Sequence, residues 1–188
     1  MPISPPPNAA HVFHGTVFDI WQWDQERFDG SHATYECLTR QDAAHVIAFL
    51  NPHTIILAEQ EQPGRPPFLD IPGGRVDEGE TPETTARREF KEETGYDIGK
   101  LELFRRIDFR GYQRFSSFLY LATDLKNGSL QHLDAGEKIA VKPTPFDDAV
   151  RLSLSDGLRQ SYAMLAILSL RYNEDARRKL ETFLASAP

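Results

Sequence analysis

The chain has 188 residues, of which 40% are hydrophobic and 26% are charged, and its formal net charge at pH 7 is −7. This length and composition indicate one globular domain that buries about 70% of the surface of its unfolded chain, and no apolar run approaches the roughly 18 residues of a membrane-spanning helix. The acidic balance disfavours a general nucleic-acid-binding protein, which needs a basic surface to bind phosphates.

The first ten residues, MPISPPPNAA, form a proline-rich segment without the basic and apolar regions of a signal peptide. We expect residues 1–10 to be a disordered lead, residues 11–188 to form a single domain, and the protein to be cytoplasmic. The only cysteine, Cys37, excludes an internal disulfide and a zinc site built from cysteines.

Strand patterns dominate the first 71 residues. Residues 11–40 are predicted to form an N-terminal antiparallel β segment, with strands at 11–23 and 33–40 around a turn at Asp29-Gly30. The later elements, in chain order, are strands at 44–50, 54–60 and 68–71, a helix at 82–94, strands at 101–109, 114–125 and 137–143, and helices from about 147, at 156–172 and at 174–185. This order predicts an α/β fold, an α/β/α sandwich around a mixed β-sheet.

The helix at 82–94 has clear boundaries and an unusual acidic face. Thr81 is suited to cap its N-terminus, and Gly95 is a natural C-terminal stop. Within the helix, Glu89, Glu92 and Glu93 are spaced so that all three carboxylates lie on one face.

Two interpretations of this charged helix compete. In the first, it is a solvated helix with ion pairs at the i, i+4 spacing, Glu83 with Arg87 and Arg88 with Glu92. That interpretation leaves the clustered carboxylates unexplained, because like charges raise one another's pKa and destabilise a helix unless a cation lies among them. Carboxylate oxygens on a rigid element suit Mg²⁺, with Mn²⁺ as a possible substitute, so we expect a divalent-metal site.

The segment from residue 73 to residue 98, GGRVDEGETPETTARREFKEETGYDI, resembles the Nudix box, G-x5-E-x7-R-E-U-x-E-E-x-G-U, where U is a bulky apolar residue. The box spans residues 74–96, and the matching residues are Gly74, Glu80, Arg88, Glu89, Phe90, Glu92, Glu93, Gly95 and Tyr96. The LDIPGG lead and the downstream GEKIAVKPTPFDDAVRL are similar to the ADP-ribose pyrophosphatase and nucleoside-diphosphate-sugar hydrolase branch of this family.

The resemblance implies roles for the residues of the box. Glu89 and Glu93 would be the main metal ligands, Glu92 would join them, and the Gly73 carbonyl would be a further ligand. Arg88 would contribute to catalysis by orienting a box glutamate rather than by touching substrate. Glu80 would lie outside the ligand set.

The resemblance also implies a general base on the loop before the last strand, where members of this branch often carry a glutamate. Glu137, in DAGEKI, is one candidate, and Asp134 is its competitor.

Substrate contacts follow from the same resemblance and from the departures from it. Arg40 matches an arginine common in the branch. The sequence Gln60-Glu61-Gln62 stands where the branch carries a phosphate-binding arginine, and FRGYQRF stands where ADP-ribose hydrolases often carry a proline. The remaining candidate contacts are therefore Arg65, Arg110, Tyr112 and Arg114, with Trp21 and Phe28 as aromatic side chains on which a base could stack.

The leading functional hypothesis is a metal-dependent hydrolase that splits nucleoside diphosphate sugars, of the ADP-ribose or GDP-mannose type. The alternatives are a hydrolase of dinucleoside polyphosphates or damaged nucleoside triphosphates, and a non-catalytic regulator that binds nucleotides. The aromatic N-terminal strands, together with the resemblance, predict a homodimer.

Overall fold

The fold is built on one mixed β-sheet, seen in a computed structural model that describes residues 4–128 and 130–186. The strands in the described part of the chain are Ala10–His14 (β1), Asp19–Glu26 (β2), His32–Thr39 (β3), Ala43–Asn51 (β4), Thr54–Glu61 (β5), Phe68–Asp70 (β6), Gly73–Arg75 (β7), Tyr96–Arg110 (β8), Gln113–Asn127 (β9) and Lys138–Pro145 (β10). The helices are Pro82–Thr94 (α1), Phe146–Leu154 (α2), Ser161–Tyr172 (α3) and Glu174–Ala185 (α4).

Strand order places the centre of the sheet at β9 and β4. The path runs β1-β2-β3-β9-β4-β5-β10, with β6 paired to β5, β7 to β4 and β8 to β9. The β3–β9 and β4–β9 pairs are parallel, and the remaining pairs are antiparallel. Short β6 and β7 therefore bring the segment that precedes α1 against β5 and β4.

Helices cover both faces of this sheet. Successive side chains on β4 point to opposite sides, so this strand contributes to both cores. Ile47 and Phe49 are fully buried in a core shared with α2, α3 and α4. Val46 and Ala48 are buried in a second core, which contains Phe90 of α1. The predicted α/β/α sandwich around a mixed sheet is confirmed.

Helix α1 has the boundaries that its sequence predicts. The Thr81 hydroxyl accepts a hydrogen bond from the Thr84 amide at 3.1 Å, and the Gly95 amide donates to the Lys91 carbonyl at 2.8 Å. Both ends of the helix are thus satisfied locally, and the position of its acidic face is fixed by packing of the adjoining face, including Phe90, on the sheet.

Three predicted elements differ from the structure, and one of them differs only in its start, since the strand predicted at 101–109 begins at Tyr96. The strand predicted at 11–23 is a hairpin of β1 and β2, because the Gly15 amide donates to the Phe18 carbonyl at 3.0 Å and reverses the chain. The helix predicted at 156–172 begins only at Ser161. Asp156, with φ of 53°, interrupts the helical conformation, and Gly157 instead closes the end of α2. The loop between α2 and α3 that results lies against β6, where the Arg159 amide donates to the Leu69 carbonyl.

The proline-rich lead stays a prediction. Residues 1–3 lie outside the described residues, and in the remainder the Ala9 amide donates to the Pro6 carbonyl. Among the described helices, none has the length and apolar character required to cross a membrane.

Candidate active site and metal centre

The acidic face of α1 lies against the β7 backbone. Glu93 is 4% exposed, and its Oε2 accepts a hydrogen bond from the Gly73 amide at 3.0 Å. Glu89 lies so close to Gly74 that a Cβ atom there would overlap its carboxyl group. Gly73 has φ of 147°, and a Cβ there would overlap the Ala44 carbonyl of β4. Gly74 therefore lets the Glu89 carboxylate approach β7, and Gly73 lets β7 approach β4.

Arg88 connects the carboxylates of the box. Its Nε and Nη2 donate to the two carboxylate oxygens of Glu80, each at 2.9 Å. Its Nη1 donates to Glu89 Oε1 at 2.9 Å and to Glu92 Oε2 at 3.1 Å. The bidentate pair with Glu80 thus fixes the guanidinium, which also orients Glu89 and Glu92.

Glu80 anchors this network from the loop before α1. The Arg88 hydrogen bonds lower the pKa of Glu80 to about 2, and the Thr85 hydroxyl, which donates to it at 2.7 Å, adds to the effect. Glu80 therefore stays ionised across the physiological pH range and fixes the orientation of Arg88.

Glu93 and Glu89 carry the opposite perturbation. Burial raises the pKa of Glu93 well above its ordinary value, with further contributions from the charges of Glu89, Glu137 and Asp70. Burial also raises the pKa of Glu89, and Arg88 only partly offsets it. The cluster is therefore short of positive charge.

This donor set fits a divalent cation. Glu89 and Glu93 lie against the glycine backbone of β7, Glu92 lines the same cleft, and hard oxygen ligands of this kind suit Mg²⁺ or Mn²⁺. Glu89, Glu92 and Glu93 would supply the carboxylates, and Gly73, which also lines the site, would supply its carbonyl.

The carboxylates open into a cleft of about 1110 Å³. Because the sheet order is β3-β9-β4-β5, the cleft extends to both sides of the central strand β4. On the side of β3, β8 and β9 is what we call the aromatic arm, lined by Val17, Phe18, Arg40, Phe109, Gln113 and Phe115. On the side of β5 and β6 is the polar arm, lined by Gln60, Gln62, Arg65, Phe68, Asp70, Arg159 and Gln160.

Both candidates for the general base line the cleft. The Glu137 amide donates to the Asp134 carbonyl at 2.9 Å, so the two residues share one tight turn. Burial raises the pKa of Glu137, and the Asp134 and Glu92 charges raise it further. Glu137 also contributes to the raised pKa of Glu89 and Glu93, which places it in the electrostatic field of the cluster.

The predicted substrate contacts divide into two groups. Arg40 and Arg65 line the cleft, and the Arg40 guanidinium lies 4.3 Å from the centre of the Phe115 ring. The other five residues are absent from the cleft wall in the described part of the chain; they are Trp21, Phe28, Arg110, Tyr112 and Arg114.

Each of these five has another environment in the single chain. Trp21 stacks on His11 with ring centres 4.4 Å apart, and Phe28 is fully exposed at the turn after β2. Arg110 pairs with Asp108 at 2.7 Å, and Arg114 donates to the Ser4 carbonyl at 2.6 Å. The Tyr112 side chain is exposed. Their roles in substrate binding stay predictions.

Several cleft residues have no counterpart in the sequence-based assignment, and they converge where the α2–α3 loop meets β4 and β6. Gln160 Nε2 lies 2.9 Å from His45 Nε2, and the His45 and Tyr162 rings are 5.5 Å apart. Asp70, 1% exposed, accepts a hydrogen bond from the Ile71 amide at 2.9 Å. The available signal was a lone polar residue in each of two apolar strands, His45 in AAHVIAFL and Asp70 in FLDI.

Burial controls the protonation of both strand residues. It lowers the pKa of His45 to about 3, with a smaller contribution from Arg40, so this imidazole is neutral. It raises the pKa of Asp70 to about 7, against the opposing effects of the Ile71 amide, Gln160 and Arg159.

Comparison with known proteins identifies a matching domain family and two similar proteins. Residues 39–165 match the sequence model of the NUDIX domain. A methanol dehydrogenase activator from Bacillus methanolicus is 29% identical over 174 residues, which cover 91% of this chain and 94% of that protein. An ADP-ribose pyrophosphatase from Bacillus subtilis (strain 168) is 30% identical over 166 residues, covering 87% of this chain and 90% of that protein.

Solved structures give the same result for the fold. The crystal structure of an ADP compounds hydrolase superposes with a TM-score of 0.75 at 22% sequence identity, covering 91% of this chain and 94% of that one. The architecture is therefore shared over nearly the whole chain.

Asp70 generates a prediction for stability against pH. Its pKa is raised in the folded state, so the folded state holds a proton that the unfolded chain has lost, and stability falls as pH rises through this window. From about pH 5 to about pH 8, we expect metal-free wild type to lose on the order of 1–3 kcal/mol of unfolding free energy relative to Asp70→Asn. Urea denaturation of both proteins in EDTA measures this difference, and a difference that does not change with pH would contradict the assignment.

Proposed function

The chain belongs to the Nudix family of hydrolases, and we propose that it is a Mg²⁺-dependent pyrophosphohydrolase that splits nucleoside diphosphate sugars into a nucleoside monophosphate and a sugar phosphate. The observation that carries the proposal is the cluster of Glu89, Glu92 and Glu93, of which Glu93 is buried, in the wall of a cleft that is also lined by an aromatic arm and a polar arm. A substrate with a central pyrophosphate and two unlike ends matches that arrangement.

The cation accounts for a conflict of charge. The protein has a net charge of −7, and its substrate would also be anionic. When bound, divalent cations would neutralise phosphate charge, polarise the scissile link and acidify water. Arg40 and Arg65, which line the two arms, would bind the phosphate oxygens that remain.

The chain's own residues then have separate tasks. Hydrolysis forms a bond from a water oxygen to one phosphorus and breaks the bond from that phosphorus to the bridging oxygen. A carboxylate, Glu137 or Asp134, would accept the proton of the attacking water. Arg88 would not touch substrate, because its donors are already directed at Glu80, Glu89 and Glu92.

The choice of substrate class rests on the two arms. The aromatic arm contains the exposed Phe18 ring as well as the stacked pair Phe109 and Phe115, and this apolar surface suits a nucleoside. The polar arm suits a sugar, whose hydroxyl groups need hydrogen-bond partners. The similarity to an ADP-ribose pyrophosphatase supports the same class.

Two alternatives lead to different outcomes of one assay. A hydrolase of dinucleoside polyphosphates or damaged nucleoside triphosphates would prefer Ap4A or 8-oxo-dGTP over ADP-ribose, GDP-mannose and UDP-glucose. A non-catalytic regulator would turn over none of them, although the intact glutamate cluster argues against it. Incubation of the protein with Mg²⁺ and each of these five compounds separates the three possibilities.

We also propose that the protein is a homodimer in the cytoplasm. The described N-terminal segment exposes large apolar side chains, namely Val12, Phe13, Phe18, Phe28 and Tyr35. Strand β1 is the outer strand at this end of the sheet order, so its outer backbone groups face away from β2. A second copy would cover both features. The buried, unpaired Cys37 supports a reducing compartment.

Replacement of Glu93 tests the metal site. Glu93→Gln keeps size and shape but removes one negative charge from the cluster, so we expect an intact fold and a kcat lowered at least about 10²-fold. Circular dichroism and steady-state kinetics over a range of Mg²⁺ concentrations measure the two effects. Glu92→Gln is the matched variant on the more exposed side of the cluster, and activity near wild type at low Mg²⁺ in both variants would sink the proposal.

Glu137 and Asp134 form a matched pair for the general base. If Glu137 takes the proton, Glu137→Gln should lower kcat by roughly 10²- to 10⁴-fold with little change in KM, while Asp134→Asn stays active. The reverse pattern assigns the role to Asp134. Normal turnover in both variants excludes a separate base on this loop.

The dimer is tested by sedimentation velocity at micromolar concentration. We expect a dimer for wild type and a shift toward monomer for Phe28→Asp, because a buried charge disfavours an apolar interface. Leu154→Asp, at an exposed position at the end of α2, is the control and should remain dimeric. A wild-type protein that sediments only as a monomer would refute this part of the proposal.

A further inference from the structure

The polar arm contains a buried acceptor that the chain itself does not satisfy. Asp70 Oδ1 accepts from the Ile71 amide, whereas Asp70 Oδ2 has no hydrogen-bond partner among the described residues. The Gln160 amide is a donor close enough to lower the pKa of Asp70, but its nitrogen lies 2.9 Å from His45 Nε2 and falls outside hydrogen-bond geometry with Asp70 Oδ2. An unpaired buried carboxylate oxygen costs free energy, so a ligand that donates to it gains a strong contact.

The surroundings of Asp70 are assembled from distant parts of the chain. The Arg159 amide donates to the Leu69 carbonyl at 2.9 Å, and the Arg159 guanidinium lies 4.3 Å from the centre of the Phe68 ring. These contacts attach the α2–α3 loop to β6 and place Gln160 at the same wall as Asp70. The site is therefore held by both backbone and side-chain contacts.

Charge defines which ligand group fits. Asp70 raises the pKa of Glu93 through its charge, so it belongs to the negative field of the cluster and repels a phosphate. The nearby Arg159 guanidinium disfavours a second cation at the same carboxylate. The remaining donors are neutral O–H and N–H groups, which a carboxylate binds with about twice the strength of a neutral acceptor.

We propose that Asp70, with Gln160 beside it, is the specificity-determining subsite for the sugar half of the substrate, where Asp70 Oδ2 accepts a hydrogen bond from a sugar hydroxyl. This inference rests on the proposed function and adds an orientation to it: the nucleoside lies in the aromatic arm and the sugar lies in the polar arm. The amide of Gln160 can both donate and accept, as recognition of neighbouring hydroxyl groups requires.

Asp70→Asn is the variant that tests the subsite. It keeps size and the acceptor for the Ile71 amide, but it removes the charge of Oδ2. With ADP-ribose in Mg²⁺ at about pH 8, above the pKa of about 7 that burial gives Asp70, we expect KM to rise by about 10- to 100-fold, the effect of losing a hydrogen bond to a charged group, with kcat changed by less than about threefold. Asp97→Asn, which removes an equal charge at an exposed position outside the cleft, should match wild type.

Two analogues identify the donor. The methyl ester of ADP lacks the sugar, so Asp70→Asn and wild type should hydrolyse it equally. The inosine analogue of ADP-ribose lacks the base amino group but keeps the sugar, so the full KM penalty should remain. A penalty that disappears only with the inosine analogue would assign Asp70 to the nucleobase, and an equal penalty for all three substrates would indicate an indirect effect; either result overturns the proposal.

Calorimetry separates failure of this subsite from failure of the proposed function. Wild type should bind ribose 5-phosphate at least about tenfold more tightly than methyl phosphate, and Asp70→Asn should lose that preference. An inactive wild type with this preference would refute only the proposed hydrolysis. An active wild type whose KM and sugar preference are unchanged by Asp70→Asn would refute only the subsite, and an inactive wild type without the preference refutes both.

Discussion

The site depends on a group of like-charged carboxylates, whose burial and mutual repulsion reduce the stability of the folded protein when no cation is bound. Glu89, Glu92 and Glu93 share one face of α1, burial disfavours the ionised forms of Glu89 and Glu93, and Arg88 is the cation that contacts two of the three. Arg88 is in turn fixed by the ionised Glu80. Helix capping, the glycines of β7 and this anchored guanidinium all serve to hold carboxylates where they repel one another. That repulsion is the physical reason for the site to take up a divalent cation.

The cleft distributes recognition around that centre. Strand β4 pairs with β7, which lies next to the acidic face of α1. The strands on either side of β4 are β9 and β5, and the residues that line the cleft on these two sides differ in chemistry. On one side the aromatic rings and Arg40 provide flat surfaces, and on the other Asp70, Gln160 and Arg159 provide polar contacts. The proposed orientation of the substrate follows from this asymmetry, since a nucleoside and a sugar differ mainly in how much apolar surface they offer.

Local parts of this arrangement could be predicted from the sequence. Thr81 and Gly95, which flank α1 in the sequence, determine where the helix begins and ends. The spacing of Glu89 and Glu93 places them on the same face of the helix. The convergence of His45, Asp70 and Gln160 could not be predicted, because it depends on the order of the strands and on the α2–α3 loop. The sequence pattern assigned the last part of that loop, residues 156–160, to a helix. The hairpin within residues 11–23 was missed because apolar residues continue on both sides of Gly15, which hides the turn from a pattern based on hydrophobicity.

The unfolding free energy of wild type and Glu89→Gln, measured by urea denaturation with EDTA and again with Mg²⁺, tests the central claim most directly. With EDTA, the variant should be at least as stable as wild type, since it relieves repulsion while its amide oxygen still accepts from Arg88. With Mg²⁺ at a hundred times its dissociation constant, wild type should gain about 2.7 kcal/mol and the variant much less, so that their order reverses. A wild type that Mg²⁺ does not stabilise, or an equal gain in both proteins, would contradict the account.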